Sequence, residues 1–402
     1  MQPVTYSRLQ TPSPTFFARL AGILMVVVIG LGSAWYMEHN GHWVTGMDNQ
    51  IVWGMPHVFA VFLIVSASGA LNIASIGTVF GRTPYKPLGR LSGLVAIALL
   101  VGGLSILVLD LGRPDRLIVA MTHYNFSSIF AWNIFLYTGF IAVVGIYLWT
   151  MMDRPMSPYN KAAGTLAFVW RLALTTGTGL IFGFLVAREA YDAAVLAPMF
   201  IAMSFAFGLA IFVLLLAVLY DATDRPISEY LIRRMGRLLG LFVVGVQYFV
   251  IVYHLTSLYA TEHDGIERFI LMDGGAITVL FWVGQVLLGG LIPLLMLLVR
   301  SDLLAISRLC WASVFVILGG LAQVYVIIIG GQAYPLELFP GRSVSSTFFD
   351  GVIHSYIPSF AEIGLGLGGC AIAIAIILVG MRMLDFLPAR LDDKMVNPHA
   401  QD

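Results

Sequence analysis

Apolar residues fall in long runs along this chain, interrupted by short polar segments. Crossing a bilayer core of about 30 Å takes about 20 apolar residues. Ten stretches qualify: 16–37, 53–79, 89–109, 127–151, 162–187, 196–220, 237–260, 275–299, 309–330 and 360–381. They predict an all-α, polytopic membrane protein with ten transmembrane helices. The first fifteen residues, with Pro3, Pro12 and Pro14, read as a short tail. The first apolar run is long enough to span and lacks a small-residue cleavage site, so no removable signal is expected.

Lysines and arginines are unevenly divided between the two sets of loops. Alternate segments, beginning with the amino tail, carry 16, and the opposite set carries five, namely Arg113, Arg116, Arg188, Arg268 and Arg342. The positive-inside rule then puts both termini in the cytoplasm. Spans two to five look repeated as spans six to nine. GRLSGL at 89–94 opens the third span and GRLLGL at 236–241 the seventh, which implies two halves of one orientation. A second pair, DRPMS at 153–157 and DRPIS at 224–228, is out of that register. The expected architecture is two four-helix bundles with the first and tenth helices at the periphery. The divisions are 1–52 (tail, first helix and loop), 53–187 (first bundle), 188–330 (second bundle) and 331–402 (outer loop, tenth helix and tail).

Composition narrows the function. The 402 residues are 59% hydrophobic and 11% charged, with a mean hydropathy of +0.89. That excludes a soluble enzyme, and the balance of 22 basic against 22 acidic residues gives no bulk charge for nucleic acid. The two cysteines, Cys310 and Cys370, are too few for the four thiolates of an iron–sulfur cluster, and no C-x-x-C-H haem site occurs. The chain is therefore expected to hold neither haem c nor an iron–sulfur cluster, and redox metals would sit on partners.

Ionisable residues gather at the outer side. His39, His42, His57, His123, His263 and His354 fall in outer loops or at outer span ends, and His254 lies slightly below one; His399 alone is cytoplasmic. Asp110, Glu189, Glu262 and Glu362 also mark outer ends. His57 begins the second span and Asp110 closes the third, so antiparallel packing would bring them to similar depth. An imidazole beside a carboxylate suits proton removal from a quinol hydroxyl, or a hydrogen bond to a quinone carbonyl. Trp53, Phe59, Tyr124, Phe126 and Trp132, with His123 nearby, would wall a flat ring. The same histidine and tryptophans would also serve simply as interfacial anchors.

Arg171 lies near mid-membrane, where an arginine costs roughly 2.5–3.5 kcal/mol and usually faces the bundle interior. No carboxylate shares its depth. Thr175, Asn133, Gln247, Gln285 and Gln323 are its expected partners, either as a proton or water path or as a structural hub. His254 and Glu189 extend the candidate proton path. The glycines fit close helix packing, and the outer segment 331–359 reads as a docking surface or a lid.

WGMPHVFAVFLIVSASGA at 53–70, LDLGRPDR at 109–116 and HYNFSSIFAWNIFLY at 123–137 resemble the first bundle of the NrfD/PsrC-type membrane subunits. ERFILMDGGAITVLFWVGQVLLGGLIPLLML at 267–297 and HSYIPSFAEIG at 354–364 resemble later spans of the ten-helix members. The likeness is greatest to the DsrP type of the DsrMKJOP sulfur-metabolism complex, with the hydrogenase subunit HybB next. It implies a quinone-reactive respiratory subunit in a bacterial inner membrane, with menaquinone or ubiquinone as exchangeable substrate. It also implies a periplasmic ferredoxin-like iron–sulfur partner and further DsrO-, DsrJ-, DsrM- and DsrK-like subunits. His57 matches the family's quinone-site histidine. A secondary transporter and a single-haem cytochrome b-type anchor stand as alternatives. The first would need matching broken helices in both halves, and Pro293 has no counterpart in the fourth span.

Overall fold

Long runs of Leu, Val, Ile and Ala become helices because a backbone in lipid has to satisfy its polar groups within its own segment. The computed structural model describes residues 4–9, 14–298, 304–335 and 351–397. Arg300, Arg342, His399 and residues 336–350 of the outer segment lie outside them. Ten helices among the described residues are long and apolar enough to cross a membrane: α1 (Phe16–Asn40), α2 (Met55–Thr78), α3 (Thr83–Leu109), α4 (Ile129–Met152), α5 (Ser157–Gly183), α6 (Leu196–Asp221), α7 (Glu229–Tyr259), α8 (Ala276–Leu298), α9 (Ile306–Ala333) and α10 (Phe360–Met383). The protein is an all-α multi-pass membrane protein.

Local signals set where several helices begin. Gly54 precedes α2 and Pro56 occupies its first turn, where the missing N–H is harmless. Ser228 caps α7 through the N–H of Leu231. Ser359 and Glu362 form a reciprocal capping box on α10.

Helices α2, α3, α4 and α5 close one four-membered ring, and α6, α7, α8 and α9 close another. The rings meet mainly along α2–α6, with α5–α6 and α2–α9 beside it. Helix α10 lies across α3 and α2, and α1 packs on α10. Glycine makes these approaches possible. A Cβ on Gly69 would stand 1.5 Å from the Ser204 carbonyl oxygen, and one on Gly30 would stand 2.6 Å from Gly368 Cα. Gly364 and Gly368, one helical turn apart, form the small-residue stripe that α1 packs against.

Near the termini, Tyr6–Ser7 pairs antiparallel with Leu387–Pro388. Arg8 bonds Asp385 at 3.0 Å, and Arg90 at the start of α3 donates to the Asp385 carbonyl. Both described terminal segments therefore share one end of the helix array. In the second ring, Leu280–Leu291 of α8 and Val326–Gly330 of α9 are π-helical, a widened turn frequent at functional sites.

Candidate functional site

The end remote from the termini is built from segments far apart in sequence. The chain between α1 and α2 is tied down by two residues from late in the sequence. Gln332 Oε1 accepts the N–H groups of Val52 and Trp53, both at 3.0 Å, and its Nε2 donates to the Trp53 carbonyl at 3.1 Å. Glu362, fully buried, accepts from Gly46 N at 2.8 Å and from the Tyr356 hydroxyl at 2.5 Å. That hydroxyl in turn accepts from Met55 N at 2.6 Å. Burial and the carboxylate beside it push the Tyr356 phenol well above its usual range. Arg188 donates to the carbonyls of Gln50 and Gln332, and His354 Nδ1 meets Asp48 Oδ2 at 2.5 Å.

This frame seats His57 in the first turn of α2, opposite Asp110 at the end of α3. His57 Nδ1 lies 3.1 Å from Asp110 Oδ2, and His42 Nε2 approaches Asp110 Oδ1 to 3.7 Å. The Asp110 side chain is 0% exposed, against 24% for His57 and 30% for His42. The His57 contact lacks hydrogen-bond alignment and the His42 contact is beyond hydrogen-bond distance, so both carboxylate oxygens, His57 Nδ1 and His42 Nε2 are buried polar atoms without a hydrogen bond. Burial alone would raise the Asp110 pKa, but the two histidines outweigh it and hold the carboxyl below its ordinary value. Asp110, against a smaller opposing effect of burial, raises the pKa of His42, and Glu38 adds to the shift.

Trp53 forms the aromatic side of this site. Its ring lies 6.2 Å from that of His57 at 29°, and it also touches Phe130, Phe182 and Tyr191. The aromatic wall read from sequence is therefore only partly the one found. Phe59 points to α10, packed where a Cβ on Gly366 would sit 2.1 Å away. Tyr124 and Trp132 belong to a separate cluster with Phe126 and Phe135, and Trp132 Nε1 donates to the Phe126 carbonyl. His123 is exposed and meets the Thr122 hydroxyl at 3.0 Å. Those three residues follow the short helix Leu117–Thr122, whose path the hydropathy pattern did not reveal.

Comparison with known proteins agrees with this architecture. The family description polysulphide reductase, NrfD, matches residues 43–335. The chain belongs to the NrfD family. It is 26% identical to an Hdr-like menaquinol oxidoreductase integral membrane subunit of Archaeoglobus fulgidus, over 98% of this chain and 99% of that one. It is 28% identical to a putative dimethyl sulfoxide reductase membrane subunit of Halobacterium salinarum, over 93% and 92%. The integral membrane subunit of a menaquinone reductase from Nitratidesulfovibrio vulgaris is 21% identical over 93% and 92%.

The remaining polar residues of this NrfD-family chain divide differently from the sequence expectation. Arg171 is fully buried, and it bonds Ser68 O at 3.3 Å and Asn72 Oδ1 at 3.0 Å, between the rings of Phe168 and Phe205. Thr175 joins it through the Arg171 carbonyl and Ser68. Asn133 instead bonds Ile129 and Gly177, and Gln247, Gln285 and Gln323 line cavities in the second ring. Arg171 ties α2 to α5 and lines neither cavity, because its neighbours are first-ring helices and α6. Glu189 is half-buried in the loop after α5 and also lines neither.

His254 meets Glu267 Oε2 at 2.7 Å, both buried. Glu267 escaped sequence reading because it lies in a short helix between spans, which folds back against α7. Beside the pair is a cavity of about 20 Å³, with one of about 10 Å³ below it; Gln285 and Gln323 line both. Such volumes hold one or two waters, not a quinone ring.

Proposed function

We propose that this chain is the quinone-reactive membrane subunit of a respiratory oxidoreductase. The observation that carries the reading is the His57–Asp110 contact at 3.1 Å, where a fully buried carboxylate stands behind a partly exposed imidazole beside Trp53. His57 Nε2, the ring nitrogen not facing Asp110, accepts a proton from a quinol hydroxyl or donates one to a quinone carbonyl. Asp110 stands 3.1 Å behind Nδ1 as the counter-charge to the imidazolium formed in turnover. Trp53 offers the flat apolar face that a quinone ring stacks against. The name of the Archaeoglobus relative supports menaquinol as the substrate.

Electrons pass singly to an iron–sulfur partner docked at the same end. In our reading that partner is a periplasmic ferredoxin-like protein of a DsrMKJOP-like complex. The family description and the dimethyl sulfoxide reductase relative support a role in sulfur respiration. In this reading the chain sits in a bacterial inner membrane, and the 16-to-5 distribution of basic residues supports both termini being cytoplasmic. Proton translocation is assigned to the second ring, along His254, Glu267, Gln285, Gln323 and Gln247.

The test is a fluorescence-quenching titration with a quinol-analogue inhibitor on folded wild type and His57→Ala. The reading expects saturable binding that the substitution weakens at least tenfold, about 1.4 kcal/mol. Equal affinities would move the site elsewhere.

A further inference from the structure

His42 is absent from every apolar span and comes from the loop before α2, yet it closes on the same carboxylate as His57. Its Nε2 lies 3.7 Å from Asp110 Oδ1, on the oxygen that His57 does not face. Gly112 makes room for it. This glycine has φ +65°, and a Cβ there would crowd His42 Cε1 at 3.3 Å. The imidazole is the most exposed of the three groups, so the order His57, Asp110, His42 runs from partly covered, through fully buried, to the most open.

We propose that His42 is the exit residue of a proton relay, taking from Asp110 the protons that His57 removes from quinol and releasing them to solvent at the end remote from the termini. This rests on the quinone site proposed above. Each quinol gives up two protons and two electrons. The electrons go one at a time to the iron–sulfur partner, and each proton follows the same route. His57 Nε2 gains a proton as Nδ1 loses one to Asp110 Oδ2; a turn of the carboxyl group carries that proton to His42 Nε2, and His42 Nδ1 releases a proton to water. Each imidazole is left in its other tautomer, and a ring flip or proton exchange with water resets it before the next pass. The groups facing His42 are Asp110 and Glu38, with His57 behind the shared carboxylate. Both acids favour its protonated form, so His42 draws the proton outward.

The test uses the assembled complex carrying His42→Gln or His42→Ala, with quinol oxidation followed across pH. A lost proton-transfer group costs typically 10²–10⁴-fold; with water as a partial substitute, kcat is expected to fall about tenfold or more. KM and the Kd of the quinol analogue should stay within twofold. The acidic limb of the pH–rate profile should move, and added imidazole should restore turnover to His42→Ala. Wild-type kcat with an unchanged profile would overturn the relay, as would lowered turnover that imidazole does not rescue. If His57→Ala weakens analogue binding while His42→Gln changes nothing, only the relay fails. If His57→Ala leaves binding intact, the site reading falls first.

Discussion

Gln332 offers the sharpest test of how the site is held, because its side chain makes three hydrogen bonds to backbone 280 and 279 residues away. Gln332→Ala strands the N–H groups of Val52 and Trp53 and the Trp53 carbonyl. At about 0.5–1.5 kcal/mol net for each bond, the loss is about 3 kcal/mol. That corresponds to about two decades in the unfolding equilibrium. Denaturant unfolding in lipid nanodiscs, followed by circular dichroism, measures it. Gln332→Met separates bonding from packing, since methionine fills the volume without the bonds. The reasoning requires Met to remain within about 1 kcal/mol of Ala. A Met variant close to wild type would show that volume, not hydrogen bonding, secures this segment.

Four further outcomes follow from particular contacts. Gly69→Leu drives a side chain into the Ser204 backbone, and overpacking of this kind costs about 1–3 kcal/mol or more; a lowered unfolding midpoint would register it, and an unchanged one would contradict the close α2–α6 crossing. Arg171→Ala removes bonds to Ser68 O and Asn72 and vacates the space between two rings, for an expected loss of about 3 kcal/mol with quinol-analogue affinity retained. Burial pushes the Asp48 carboxyl up, but bonds from Ile51 N, His354 and Gln50 N outweigh it and hold its pKa below the ordinary value. That stability is present at neutral pH and lost as pH falls through the folded value, so Asp48→Asn should destabilise at pH 7 and match wild type in strong acid. Glu267→Gln uncouples the buried His254 pair, and proteoliposomes should then show reduced proton release per quinol while analogue binding persists.

Much of this protein is legible without its structure because the membrane makes secondary structure a local property. A run of about 20 apolar residues spans as a helix whatever its neighbours do, and all ten helices follow from that. The His57–Asp110 meeting is legible for a related reason. Span ends sit at the bilayer boundary, and consecutive antiparallel helices return to the same depth. Arg171 was visible as an interior group for the same energetic reason, though its bonding partners were not.

What the sequence leaves open is whatever depends on lateral packing and on loops. Nothing in the local pattern tells that Gln332 and Glu362, late in the chain, clamp residues 46–53, nor that His42 reaches Asp110. These contacts join positions up to 316 apart, and hydrophobicity carries no information about which helices become neighbours. Shared depth alone groups the aromatics Tyr124 and Trp132 with His57, but depth fixes one coordinate only. Position around the ring fixes the other, and it is set by side-chain packing such as the Gly69–Ser204 and Gly30–Gly368 approaches. Depth was thus determined by residues against lipid, whereas the partners of each polar group were decided by helix against helix.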